Sequence, residues 1–333
     1  MRRSGVFAMA ASCLEFAFPA CNPPVVPYER DMSFRLAHIS DVHLAPLPKV
    51  RRRELFSKRI TGYINWRRNR ARHMASDTLE ILVAAMLKQQ PDHIAVTGDL
   101  TNLALDAEIA NATAWLESLG DPADVSAVPG NHDAYVPGAL GRAVASWRTN
   151  MTTDVSGFPL TRSGFPFLRE RGAAAIIGVN SAIATGPFLA SGVFSRRQAK
   201  GLSQALGIAG EKGLFRVVLI HHPPVRGAAS TQKRLYGIRL FQSVVREHGA
   251  ELVLHGHTHL PQRNGIEGPG GAVVPVIGVP AGGENPGGRN PAAAFNLFTI
   301  DGEPGAWRCR LEEHSLTGKI GGLDVTDRRE LYG

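Results

Sequence analysis

Short apolar runs alternate with longer stretches in which apolar residues return every third or fourth position. Residues 34–40 form the first apolar run and predict a buried strand. Leu79, Leu82, Val83, Met86 and Leu87 then recur at helical spacing, behind an Asp77-Thr78-Leu79-Glu80 start of capping-box form. Pro91 ends that helix. Residues 93–96 predict a second strand, 106–119 a helix stopped by Gly120, and 125–128 a third strand. Further on, 174–179, 215–220 and 252–254 read as strands, and 195–206 and 240–247 as helices. Residues 138–172 show no clear period. From Ala272 onward, Gly/Pro-rich turns separate short strands at 273–279, 295–300 and 306–311, which suit a second sheet, and 280–291 reads as a loop. Strands alternating with helices predict an α/β fold.

Polar residues fall at the carboxyl ends of these strands. The sharpest instance is Val128-Pro129-Gly130-Asn131-His132-Asp133, where Pro and Gly stop a strand and three chemically capable side chains follow. Four other strand ends carry Asp41-Val42-His43, Gly98-Asp99, His221-His222 and His255-Gly256-His257-Thr258-His259. In open α/β sheets ligands bind at such ends. Two carboxylates (Asp41, Asp99), the Asn131 amide and the imidazoles of His43, His221, His257 and His259 form a mixed oxygen and nitrogen donor set. Such a set suits Mn, Fe, Zn or Co better than Ca²⁺ or a thiolate-dependent metal. On an extended segment, residues two apart point the same way, so His257 would share a face with His259, and Asp41 with His43. Seven donors exceed what one ion needs beside water and substrate, and the count points to two ions bridged by a carboxylate.

Composition changes this picture in one place. The 333 residues carry a net charge of +8, with 44% hydrophobic and 20% charged residues, as in ordinary globular proteins. Ten Lys/Arg and one Glu lie between Lys49 and Arg72, a local balance of +9, so the remaining residues are close to neutral. Leu55, Phe56, Ile60, Tyr63, Ile64 and Trp66 interleave with these cations, giving a basic aromatic insert at 45–75 that predicts contact with an anionic, peripheral membrane surface. The insert otherwise reads as a short element packed on its own domain, its cation stems lying over apolar rings. Cys13, Cys21 and Cys309 are too few and scattered for a disulfide framework, which favours a reducing, cytoplasmic setting. No run reaches the length of a membrane span. Residues 1–31 read as a loose tail or a mis-assigned start ahead of Met32, residues 32–317 as the domain, and 318–333 as a C-terminal surface tail.

Taken as an ordered set, Asp41-x-His43, Gly98-Asp99, Gly130-Asn131-His132-Asp133, His221 before His222-Pro223-Pro224, and Gly256-His257-Thr258-His259 resemble the five motifs of calcineurin-like metallophosphoesterases. The resemblance runs over roughly residues 34–300. It implies a four-layer sandwich of two mixed β-sheets flanked by helices, with a dinuclear centre at the strand ends. By position, Asp41, His43, Asp99 and His259 would hold one ion, and Asp99, Asn131, His221 and His257 the other. His132 would lie beside the metals and, with two ions polarising a phosphoryl oxygen and activating water, would protonate the leaving group, while Asp133 would orient His132 or a ligand. The spacing is similar to that of the class III cyclic nucleotide phosphodiesterase branch, including Gly192-Val193-Phe194-Ser195 ahead of a helix. The substrate implied is a phosphodiester, either a cyclic nucleotide or a phospholipid. A silent metal-binding scaffold would show a damaged ligand set, and the set is complete. A nuclease is the remaining alternative; the sequence carries the basic stretch but no dedicated nucleic-acid module.

Overall fold

The computed structural model describes residues 33–55, 57–67, 76–158, 163–288, 290–318 and 322–332. The N-terminal tail expected at 1–31, and Phe56 and residues 68–75 of the insert, lie outside them. In chain order β1 (Phe34–Ile39) leads to α1 (Arg59–Asn65), α2 (Ser76–Lys88), β2 (His93–Val96), α3 (Asp106–Ser118) and β3 (Val125–Ala127). Then come α4 (Ala139–Ser146), β4 (Phe167–Arg171), β5 (Ala174–Gly178), β6 (Gly192–Val193), α5 (Arg196–Glu211), β7 (Phe215–Leu219), β8 (Leu235–Tyr236) and α6 (Ile238–His248). The last described elements are β9 (Leu252–His255), β10 (Arg263–Glu267), β11 (Val273–Gly278), β12 (Ala294–Asp301), β13 (Arg308–Thr317) and β14 (Gly322–Tyr332).

Two six-stranded sheets result, in the orders β14-β13-β12-β1-β2-β3 and β10-β11-β9-β7-β5-β4. Both are mixed. β1, β2 and β3 run parallel, while β12 is antiparallel to β1. In the second sheet β5, β7, β9 and β11 run parallel, and β4 and β10 close its edges antiparallel. The second sheet's strands show why two layers stack. Phe215, Val217 and Leu219 of β7 join the cluster that also holds Leu36 and Ile94 of the first sheet. The alternate residues Val218 and Ile220 join Leu202, Phe241 and Val245 from the helical side. β9 divides likewise, with Leu252 and Leu254 facing one cluster and Val253 the other. Period-two side chains that are apolar on both faces bury a strand between two layers. The sequence of layers is helix, sheet, sheet, helix, as expected.

Three stretches differ from the sequence reading. Residues 322–332 are not a surface tail but β14, paired along β13 with Arg328 on Glu312 at 2.7 Å. The strand is charged because it is an edge, and charge there discourages pairing with other chains. Tyr332 anchors it by donating to Glu251 O at 2.8 Å. The stretch 138–172 contains α4 and β4, which carry weak signals: α4 is short and starts at left-handed Gly138, and β4 reads Phe-Leu-Arg-Glu-Arg. The insert, finally, forms only a single turn at Arg52–Leu55 and the seven-residue α1 within its described part.

Arg169 explains how a polar strand is tolerated in β4. Its guanidinium is buried and donates to the carbonyls of Thr152, Pro122, Val125 and Thr149, joining this edge to the start of β3. Burial and the neighbouring Arg171 lower its pKa to about 10, so it stays charged at neutral pH. Arg169→Met is expected to strand these carbonyls and to cost about 3 kcal/mol in a urea or guanidinium unfolding titration. A loss under about 0.5 kcal/mol, the range of ordinary surface changes, would mean the network carries no stability.

Candidate metal centre

The parallel strands of both sheets deliver their carboxyl ends to one edge, and backbone hydrogen bonds lock the loops that follow. Asp41 N donates to Gly98 O at 2.9 Å, His43 N to Asp99 O at 3.0 Å, and Gly256 N to His221 O at 3.1 Å. The second sheet's loop is tied to the first through His257 N, which donates to Asp41 Oδ2 at 2.8 Å. With His132 N donating to Asp99 Oδ1 at 2.7 Å, all five sequence segments meet.

How they meet differs from the extended geometry expected for Asp41-x-His43 and His257-x-His259. Asp41 (φ 52°), His43 (φ 41°), Asp99 (φ 56°), His257 (φ 69°) and His259 (φ 59°) all adopt left-handed backbone. Non-glycine residues rarely do so, and each costs on the order of 1 kcal/mol or more. Tight left-handed turns, rather than strand alternation, aim these side chains inward. Gly256 permits the closest approach, since a Cβ there would overlap Ser40 Oγ and Asp41 Oδ2. At Gly130 a Cβ would overlap the Asp99 carboxylate.

The donor atoms gather in four overlapping groups among the described residues. Asp41, His43 and His259 place ligand atoms within 4.8 Å of one another, and so do Asp41, Asp99 and His221, then His43, Asp99 and His132, and finally His221, His222 and His257. His259 Nε2 lies 3.2 Å from Asp41 Oδ1. Asp99 Oδ2 stands between them, 3.8 Å from His43 Nε2 and 3.4 Å from His221 Nε2. Asn131 Oδ1 is 3.2 Å from His221 Nε2. His257 faces His221 with ring centroids 5.0 Å apart.

Several observations fit this set to cations. Asp41 Oδ1 is buried with no hydrogen-bond donor. His221 Nδ1 and His43 Nδ1 are held by the carbonyls of Thr97 (2.6 Å) and Thr101 (3.0 Å), which turns each Nε2 toward the carboxylates. Carbonyl-anchored imidazoles are the usual arrangement behind a metal. Burial alone would raise the Asp99 carboxyl, yet His221 and His132 hold it well below the usual range. Asp41, equally buried, is likewise held low by His259 and His221. Against its own burial, His221 is raised to about 9 by Asp99. Two buried carboxylates kept ionised form a site that demands positive charge.

The two residues expected to act beside the ligands separate in role. His132 is half-buried and reaches toward the mouth, with Nδ1 on Asn102 O at 2.6 Å and its ring stacked on Tyr135 at 5.4 Å. Asp133 does not hold the His132 ring. It is fully buried and accepts from Asp99 N (2.9 Å), Gly130 N (2.8 Å), Thr101 N (3.0 Å) and Thr101 Oγ1, fixing the loop that carries Asp99. Burial and the Asp99 charge push its pKa up to about 7, against the hydrogen bonds it accepts.

Sequence reasoning missed Glu108. Its buried carboxylate accepts from the backbone of Asn102 (2.7 Å), Leu103 (3.0 Å) and Leu105 (3.0 Å), and so shapes the loop whose carbonyls hold His43 and His132. A Glu three residues into a helix was its only signal. His222 is structural, because Nδ1 meets Ser181 Oγ at 2.7 Å and Nε2 meets Ala190 O at 3.1 Å. His255 is buried one step back, with Nδ1 on Gly256 O at 3.0 Å.

The model of the calcineurin-like phosphoesterase family matches residues 34–261. The chain belongs to that family. Calcineurin-like phosphoesterases are metal-dependent hydrolases with a dinuclear centre, and the Asp and His clusters above lie where the two sheets of the fold meet. Two solved structures share the fold. A dimetal phosphatase from Danio rerio superposes with a TM-score of 0.59 at 14% identity, covering 90% of this chain and 98% of its own. A purple acid phosphatase from yellow lupin seeds gives 0.53 at 13% identity, covering 90% of this chain and 53% of its own. No curated protein sequence matches the chain. Within the family frame the insert is local: Lys58 Nζ sits 4.6 Å above the Tyr135 ring, beside His132, and donates to Thr185 Oγ1 (2.8 Å) and Leu189 O (2.9 Å). Arg59 donates to the carbonyls of Leu103 (2.9 Å) and Ala104 (2.5 Å). Two cations thus fasten α1 against the loops that border the centre.

Proposed function

We propose that this calcineurin-like phosphoesterase hydrolyses phosphodiesters with two metal ions. Asp41, His43, Asp99 and His259 hold one ion, and Asp99, Asn131, His221 and His257 the other. The observation that supports this reading is Asp99, whose buried Oδ2 lies 3.8 Å from His43 Nε2 and 3.4 Å from His221 Nε2, so that its carboxylate belongs both to the group with His43 and to the group with His221. The donor set favours Mn, Fe, Zn or Co. Ions bound there supply Lewis acidity toward the phosphoryl oxygens and a deprotonated water at neutral pH.

The chain's own residues do the rest. Asn102 O takes the Nδ1 hydrogen of His132, so the doubly protonated ring delivers its second proton from Nε2 to the departing oxygen and is left as the neutral Nδ1–H imidazole. Asp133 and Glu108 hold the two loops in register without reaching substrate. The substrate classes that suit the site are cyclic nucleotides, by likeness of spacing to the class III phosphodiesterase branch, and phospholipid-type diesters. Lys58, over the Tyr135 ring beside His132, supplies positive charge for an anionic substrate in either case.

The test is a hydrolysis panel with metal-reconstituted protein, using bis(p-nitrophenyl) phosphate, p-nitrophenyl phosphate, 2′,3′- and 3′,5′-cyclic nucleotides, and phosphatidylcholine in mixed micelles. Diesters are expected to turn over faster than the monoester. A preference for p-nitrophenyl phosphate, or no turnover with any of the four metals, would overturn the assignment.

A further inference from the structure

Phe188 is 85% exposed and holds left-handed backbone at φ 64°. A large apolar side chain in a strained conformation, turned wholly to water, runs against both its burial preference and its backbone preference. Its loop is nevertheless well tied. Leu189 N donates to Gly186 O at 3.3 Å, Ala190 N to Gln232 O at 3.0 Å, and Leu189 O accepts from Lys58. Leu189, at the same tip, is 44% exposed.

This tip belongs to the rim of the metal centre. Ala190 O meets Nε2 of His222, the residue after ligand His221, and Lys233 O meets Nε2 of His257 at 2.9 Å. On one side Lys58 joins the tip to α1, whose Ile60 (50% exposed) and Ile64 (44% exposed) lie one helical turn apart on its outer face. On the other, β6 pairs with β8, where Tyr236 is 47% exposed beneath the Arg234 guanidinium at 4.5 Å. Arg51, Arg52 and Arg53, all exposed, precede α1, and Arg67 follows it. The one acidic residue of the insert, Glu54, is engaged by Arg51 N at 2.6 Å.

We infer that this rim docks on an anionic lipid bilayer, with Phe188, Leu189, Ile60 and Ile64 entering the headgroup boundary and the arginines pairing with lipid phosphates. The choice of a bilayer rests on the pattern. Separate projecting apolar groups ringed by cations suit a soft anionic surface, whereas a protein partner needs a broad complementary patch of roughly 800 Å². Docking in this pose presents the metal centre to the headgroup layer, so the substrate class is a phosphodiester of a membrane lipid. That substrate assignment rests on the phosphodiesterase reading; the docking surface does not.

The experiment is flotation of the full chain with vesicles of phosphatidylcholine alone or mixed with phosphatidylserine. It compares wild type with Phe188→Ser/Leu189→Ser and with Arg51→Gln/Arg52→Gln/Arg53→Gln. Turnover of bis(p-nitrophenyl) phosphate serves as the folding control, since none of these residues touches the ligands. Wild type is expected to bind the mixed vesicles in a salt-sensitive way. The arginine variant should lose roughly fivefold per cation, and the Phe188/Leu189 variant roughly tenfold, with soluble turnover retained. Equal vesicle binding by all three proteins overturns the inference. So does a change in oligomeric state in the Phe188/Leu189 variant, because a second copy would then cover this face. Variant-sensitive vesicle binding without hydrolysis of any diester would leave the docking surface standing and remove the phosphodiesterase reading instead.

Discussion

Asp99→Asn is expected to lower hydrolysis by about three orders of magnitude and to reduce bound metal below two ions per chain. The substitution is nearly isosteric, and its amide oxygen can still accept the hydrogen bond that His132 N now gives Asp99 Oδ1 at 2.7 Å. What disappears is the anionic Oδ2 between His43 and His221. Without it both donor groups lose their shared negative charge, while the loop keeps its tether to Asp133 through Asp99 N. Metal analysis after desalting, run beside a turnover assay, checks both halves. Full loading with undiminished turnover would show that Asp99 does not bridge.

His132→Asn has the complementary signature. Metal content should stay at the wild-type level, because the His132 ring rests on Asn102 O and Tyr135 and meets the proposed ligand His43 edge-on, with ring centroids 4.8 Å apart. Turnover should fall by about 10²- to 10⁴-fold, the usual contribution of a general acid. The loss should be large for diesters with an alkoxide leaving group and small for bis(p-nitrophenyl) phosphate, whose phenolate departs without protonation. Equal losses for both substrates would assign His132 to holding phosphate rather than to proton delivery.

Much of this is legible in the chain. Every expected ligand stands directly after an apolar run, and a strand that must bury both faces stops where polar groups begin. The order of residue types alone therefore places Asp41, Asp99, Asn131 and His221 at strand ends. The inward aim of His257 and His259 has a different cause from the expected one, since period-two alternation does not apply where the backbone turns left-handed. Glu108 and Arg169 stay hidden because each acts on backbone carbonyls or amides of other segments, and backbone groups leave no residue-type signature. Lys58 is visible only as one cation among ten. Its role depends on Tyr135, Thr185 and Leu189, which no periodicity connects to it. The strand β14 is obscured by the charges that protect an edge.

The division of the ligands between the sheets has a consequence for assembly. Asp41, His43, Asp99 and Asn131 follow strands of the first sheet, and His221, His257 and His259 follow strands of the second. The Asp41 to His257 contact spans 216 residues of sequence. No early, local fragment of the chain can present both donor groups, and closing so long a loop is entropically slow to repay. On the proposed ligand set, tight metal capture would come after the sheets have formed and stacked, and the ions would act as a clasp at one edge of the sandwich. Uptake of the second equivalent during refolding would serve as a clock for the last step of the fold.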